Sequence, residues 1–232
     1  MMPIERLRLR QFSVKNEQGA VCFAHLNVEF PLHQFVLIEG AAGAGKSLLL
    51  KIMAGLVLPE QGGYYINDTN VSALSFAGFL PYRLNIGYSF EHGGLIGNKT
   101  VLENLMLPLQ YHADDNAQQA RRKAQAQLER FGLLDIQDAY PADLSSTYWR
   151  RVVVARALIL KPELLLLDNP GAGLGHADRQ LLVDLLKEQR AHGGLKHVFI
   201  VSPQAAFLDE LISARLSVDQ GNIYPCENPH HD

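Results

Sequence analysis

The chain has 232 residues, 47% of them hydrophobic, which is enough for a sizeable core in one α/β domain or in a domain carrying a helical insert. A formal net charge of −3 excludes a global attraction to nucleic acid or to anionic lipid. No apolar stretch approaches the ~20 residues of a membrane span, and no basic segment followed by an apolar run opens the chain as a secretory leader would, so work at a membrane would need a partner to bring the chain there. Cys22 and Cys226 stand alone without metal spacing, as expected of a reduced, cytosolic chain.

In chain order, residues 7–14 and 21–30 each alternate apolar and polar around the turn-forming 16–19, which predicts an antiparallel hairpin. A short apolar run, 35–38, then leads into a glycine-rich loop and a helix over 47–58. Residues 59–63 read as a break, 64–66 as a short strand, 71–83 as a weakly patterned connector, and 84–90 as a strand ending in the loop Glu91-His92-Gly93-Gly94. Thr100, with Glu103 three residues on, has the spacing of a capping box and opens a helix through about Gln110. Further helices are expected over 114–131, 145–160 and 178–190, strands over 163–168 and 197–202, and a closing hairpin over 212–224. This order predicts a single domain over 1–232: an α/β core of about 1–91 and 161–224, a helical section of about 92–160, and a frayed tail over 225–232. The pairs Arg121–Lys123 and Arg150–Arg151 read as solvated helix faces. His25, His33, His112, His176, His192 and His197 lack metal spacing and read mostly as surface or turn residues.

The glycine-rich loop carries the chemistry. Gly40-Ala41-Ala42-Gly43-Ala44-Gly45-Lys46-Ser47 fits G-x-x-x-x-G-K-[ST] at every fixed position, with an apolar strand before it and a helix after it. Such a loop aims backbone N–H groups at one point, where a polyphosphate binds. Lys46 adds positive charge for the terminal phosphates, and the Ser47 hydroxyl is a ligand for Mg²⁺. The nucleotide-binding stretch is taken to run from Gly40 through Leu48. The second element is LLLLD at 164–168, the continuous apolar run of a buried parallel strand, ending in a carboxylate at the edge where ligands of α/β sheets bind. Asp168 there is a second Mg²⁺ ligand.

Residues 140–158, YPADLSSTYWRRVVVARAL, resemble the stretch of ABC-transporter ATPases that holds the LSGGQ signature. KPELLLLDNPGAGL at 161–174 is similar to their Walker B strand and D-loop, 86–90 to the strand before their Q-loop, and 100–104 to the helix after it. The likeness runs in order from about residue 4 to 224. It implies a P-loop NTPase core with a mainly parallel sheet, an antiparallel β side sheet and a helical subdomain. It also implies ATP and Mg²⁺ as ligands, membrane permease subunits as partners, and a head-to-tail dimer, either a homodimer or a heterodimer with another ABC ATPase subunit. The Gly93-Gly94-Leu95 loop and LPLQYH at 107–112 are faintly similar to lipid-trafficking importer ATPases of the Mce/Mla type.

Measured against that family, several positions depart. An aromatic that stacks on adenine falls at Asn16, while Phe12 takes an interior strand position. The Q-loop glutamine is Glu91, an alternative metal ligand. The signature glycines are Ser146 and Thr147, after Ser145, so the surface offered in trans to a partner's phosphate is crowded. The general-base glutamate is Asn169, the D-loop aspartate is Gly175, and the switch histidine is Pro203. A carboxamide accepts no proton from water, so base assistance of roughly 10²–10⁴-fold is missing at position 169. These losses beside an intact phosphate loop predict a degenerate, nucleotide-binding but hydrolysis-impaired subunit. The alternatives are an active ATPase using Glu91 or His92 as base, and a non-catalytic structural or regulatory module.

Overall fold

The computed structural model describes residues 2–15, 19–112, 115–192 and 194–226. Of the tail expected to fray over 225–232, Pro225 and Cys226 instead pair as the end of the last strand, while 227–232, like Asn16, lie outside the described residues. The strands and helices follow in the order β1 (Leu7–Lys15), β2 (Val21–Glu29), β3 (Phe35–Glu39), α1 (Lys46–Met53), β4 (Gln61–Ile66), β5 (Thr69–Asn70), α2 (Phe76–Arg83), β6 (Ile86–Ser89), α3 (Val101–His112), α4 (Ala117–Arg130), α5 (Ser146–Leu158), β7 (Leu164–Asp168), α6 (His176–Ala191), β8 (His197–Val201), β9 (Ala214–Asp219) and β10 (Asn222–Cys226).

Two sheets form. A six-stranded sheet has the order β10-β9-β3-β8-β7-β6, parallel throughout except for the terminal β9–β10 hairpin. A four-stranded antiparallel sheet has the order β2-β1-β4-β5. The expected α/β architecture, with a mainly parallel sheet and an antiparallel side sheet, is what the chain adopts. The apolar run of β7 has the reason given for it: Leu164 and Leu166 pack with α1 and the side sheet, while Leu165 and Leu167 pack with α3, α4, α5 and α6 on the other face. A strand buried on both faces has no polar alternation to show. Phe12 is fully buried in the first of these cores, as its strand position predicts.

Local chemistry moves several boundaries. The helix expected to reach residue 58 stops at Met53, because Gly55 adopts φ 68 and closes a left-handed cap: its N–H donates to Ile52 O at 2.9 Å and that of Leu56 to Lys51 O at 2.9 Å. Residues 61–63 are strand rather than break. Gly62 is needed there because a Cβ would lie 2.1 Å from the Gln11 carbonyl oxygen on β1, so the glycine marks a close backbone approach within the sheet. The connector 71–83 contains α2, opened by Ser75 Oγ accepting the Gly78 N–H at 3.3 Å, with Pro81 inside it. The Thr100–Glu103 capping box forms as expected, at 2.9 and 3.2 Å. α4 starts later than expected, with Asn116 and Gln119 as its own capping box.

His197 is corrected from a surface residue to a fully buried one. It opens β8, every residue of which is buried. Its Nδ1 accepts the His33 N–H at 2.9 Å, so Nε2 carries the proton and donates to the Ile4 carbonyl at 2.9 Å. Ile4 is pinned from its other side by Glu163, which accepts its N–H at 2.8 Å and pairs with Lys196 at 2.8 Å. Burial, with the neighbouring His33 and Lys196, outweighs the Ile4 bond and Glu163 and pushes the imidazole down from 6.5 to about 4. Between those values the unfolded chain binds a proton that the folded chain refuses. The contribution of His197 to stability is therefore flat above pH 6.5 and falls as the pH drops toward 4, by up to roughly 3 kcal/mol. Denaturant unfolding at pH 7 and pH 4.5 checks this: the loss should be large in the native chain and much smaller in His197→Gln.

Candidate nucleotide-binding site

The loop from Gly40 to Gly45 leaves the C-terminal end of β3 and enters α1. Gly40 has φ 141, and a Cβ there would lie 2.2 Å from the Val218 carbonyl oxygen on β9, so the loop can pass this neighbour only as glycine. Gly43 (φ 80) and Gly45 (φ 100) complete the bend. The intrahelical bonds of α1 begin with Leu49 N–H to Gly45 O at 2.8 Å. The N–H groups of Lys46, Ser47 and Leu48 therefore belong to the first turn, which has no earlier carbonyls to satisfy them. Lys46 Nζ folds back over the loop and donates to the carbonyls of Gly40 at 2.7 Å and Ala41 at 2.6 Å.

Ser47 Oγ donates to Asp168 Oδ1 at 2.9 Å, which joins the two elements that the sequence placed 121 residues apart. Asp168 is buried at the end of β7, and burial is the main reason its carboxyl is raised. Glu91 adds to the rise, while Ser47, Lys51 and Arg150 oppose it. The buried Tyr88 phenol lies beside it, its own titration pushed up by burial and by Asp168. A hydroxyl and a carboxylate form an all-oxygen donor pair. It suits Mg²⁺, which takes one or two protein oxygens and otherwise keeps water and phosphate.

Glu91 and Asn169 meet across the site, Asn169 Nδ2 donating to Glu91 Oε1 at 2.7 Å. Asn169 follows Asp168 directly and has φ 49, a left-handed conformation asparagine tolerates, with its N–H bonded to Val201 O at 2.7 Å. Arg150 is corrected from a solvated residue to a buried one. Its Nη1 donates to the Glu91 carbonyl at 2.7 Å, and its guanidinium lies over the Trp149 ring. Arg151, its neighbour, faces elsewhere and pairs with Asp178 at 3.2 Å. Sequence reading missed this division, although adjacent residues on a helix point about 100° apart and cannot share a face.

The other candidate positions stay apart from this cluster. Ser145 caps α5, accepting the Tyr148 N–H at 3.3 Å, and Ser146 and Thr147 form the first turn. None of the described hydrogen bonds joins them to the phosphate loop. Pro203 is exposed just beyond β8. His92 is a surface side chain, its Nδ1 3.8 Å from Glu91 Oε2. On the far side of the loop a cleft of about 450 Å³ is lined by Val21, Cys22 and Ala24 of β2, by Gly43 and Ala44, and by the 220–222 turn. Among the described residues no aromatic ring lines it. Among the described residues, too, no helix is long and apolar enough to cross a membrane.

Fold and site together have the features of a phosphate-loop cassette, and comparison with known proteins gives its family. The ABC transporter family model matches residues 23–172, and the chain belongs to that family. The methionine import ATP-binding protein MetN of Histophilus somni is 37% identical over 164 residues, covering 71% of this chain and 47% of that protein. MetN of Rhodopseudomonas palustris is 30% identical over 218 residues, covering 94% and 58%. The chain thus spans about half the length of the curated relatives it matches. Among solved structures, the dimeric post-hydrolysis state of the ATP-binding cassette MJ0796 bound to ADP and phosphate superposes with a TM-score of 0.84 at 25% identity, covering 96% of this chain and 99% of that one. CbiO1 from Clostridium perfringens has the same fold, with a TM-score of 0.76 at 20% identity and coverage of 96% and 88%.

Proposed function

We propose that the chain is the ATP-binding subunit of an ABC transporter, and that it holds Mg-ATP while hydrolysing it slowly. Residues Gly40 to Leu48 cradle the triphosphate, and Ser47 and Asp168 hold Mg²⁺, which neutralises charge on the terminal phosphates. The observation that carries this reading is the Ser47–Asp168 bond at 2.9 Å beside the carboxamide of Asn169: the metal end of the site is assembled, and the group next to it cannot take a proton from water.

The rest follows from the resemblance and the relatives. One domain comprises the two-sheet core and a helical part of about 92–160. Two cassettes, alike or different, sandwich nucleotide head to tail. The MJ0796 dimer supports the pairing, and Ser145, Ser146 and Thr147 are the surface this chain turns toward its partner's nucleotide. A cleft of about 490 Å³ lined by residues of α2, β6, α3 and α5, with Phe76 81% and Tyr111 76% exposed, supports contact with the permease subunits that hold the chain at the inner face of the membrane. The relatives named for methionine import support an importing direction, and the likeness of the Gly93-Gly94-Leu95 loop to lipid-trafficking ATPases supports a lipid cargo. The test measures MgATP binding and phosphate release on one preparation of the purified chain. Saturable binding with slow release is expected. No binding at millimolar ATP overturns the first half of the reading, and rapid release overturns the second.

A further inference from the structure

We propose that Glu91 is the carboxylate through which this chain's remaining hydrolysis runs, with Asn169 and Arg150 as the residues that position it. The proposal rests on the reading of the site as one for Mg-ATP.

A general base here needs a carboxylate near Ser47 with a lone pair free and water at hand. Asp168 fails on access to water, since it is buried, with Oδ1 engaged by the Ser47 hydroxyl. His92 fails on placement: its side chain is 87% exposed and turned outward, 3.8 Å from Glu91 Oε2. Glu91 passes. Its side chain is 36% exposed, so water reaches it, and it touches Asn169, the residue directly after Asp168, which places it at the metal end of the site. Its Oε1 is fixed by Asn169 Nδ2 at 2.7 Å, while Oε2 has only the exposed His92 ring nitrogen beside it at 3.8 Å, too long for a hydrogen bond, and so keeps its lone pairs for water. A carboxylate only accepts, so the asparagine must present its amide nitrogen here, and the orientation of the pair is determined. The backbone is fixed as well, because Arg150 Nη1 holds the Glu91 carbonyl at 2.7 Å from a buried position on α5. The Glu91 loop is thus held at its main chain by Arg150 and at its side chain by Asn169.

The chain therefore keeps one carboxylate and one carboxamide in contact at the phosphate end of the site, with the acid on the loop after β6 and the amide after β7. In the reaction, the attacking water forms its bond to the γ-phosphorus as one of its protons passes to Glu91 Oε2. The bond from the γ-phosphorus to the bridging oxygen breaks, its electron pair stays with ADP, and the proton then leaves Glu91 for solvent.

The test follows MgATP binding and hydrolysis in the purified full chain. Glu91→Gln keeps the shape and still accepts from Asn169. It should bind MgATP within about threefold of the native chain, lose hydrolysis by roughly 10²-fold or more, and lose the acid limb of the pH–rate profile. Asn169→Ala should retain binding, lower kcat and shift that limb, whereas a merely structural role would leave the limb where it was. Glu91→Gln with native binding and native hydrolysis overturns the proposal alone. So does a native chain that binds MgATP but hydrolyses no faster than Lys46→Ala. A native chain that fails to bind MgATP overturns the underlying reading instead.

Discussion

Replacing Lys46 with alanine is expected to weaken MgATP binding by roughly 100-fold or more and to leave the fold intact. Hydrogen bonds to a charged group contribute roughly 1.5–3 kcal/mol each, and the ammonium supplies at least two to a polyphosphate, so their loss reaches this size. Folding is spared for a reason visible in the ligand-free site. Among the described residues Lys46 Nζ bonds only the carbonyls of Gly40 and Ala41, both on an exposed loop where water replaces the ammonium readily. Stability should therefore change by less than about 1 kcal/mol. Titration with a fluorescent ATP analogue, beside a thermal melt of the same sample, checks both halves. Native affinity in Lys46→Ala would mean that nucleotide binds elsewhere. A melt lowered by many degrees would mean that the lysine holds the loop together rather than serving the phosphate.

The loop itself was legible because its constraints are local. Gly40 must clear Val218, Gly45 must open the helix, and both needs leave a glycine in the sequence. β7 was legible because burial on both faces admits only apolar residues until the strand ends in Asp168. α2 was not, since Gly78 and Pro81 both read as breakers, and a helix with Tyr82 as its one buried residue, started by the Ser75 cap, shows no apolar periodicity. His197 had a readable signal that was passed over. It stands in HVFIV, where every other residue is apolar, and a strand of that kind buries its first residue too. The Glu91–Asn169 contact had no signal at all. It joins two loops 78 residues apart, and the sequence taken alone makes each residue an isolated loss. The geometry turns two losses into a single pair.

That pairing changes what restoring a base at position 169 should do. Asn169→Glu alone sets a second carboxylate against Glu91, where the present contact is 2.7 Å. Two carboxylates at that separation do not both ionise near neutrality. They share a proton and titrate as a unit, with one apparent pKa raised. The single substitution should therefore yield little gain at neutral pH and a turnover that climbs as the pH rises and the shared proton leaves. Adding Glu91→Gln removes the repulsion and returns an amide donor to the same contact, now serving a carboxylate that follows Asp168 on the rigid end of β7 rather than standing on a half-exposed loop. The double substitution should restore the roughly 10²-fold lost in Glu91→Gln and carry turnover above the native chain, toward the roughly 10⁴-fold that a well-placed general base contributes at most. Pro203 and the crowded start of α5 at Ser146 and Thr147 are untouched by the exchange and hold the rate below that ceiling. Steady-state hydrolysis of the native chain, both single variants and the double variant across pH 6–9 decides the matter. If the double variant is no faster than Asn169→Glu at neutral pH, the two side chains are not coupled as the 2.7 Å contact requires. If it is no faster than the native chain, the absence of a base at 169 is not what limits this cassette.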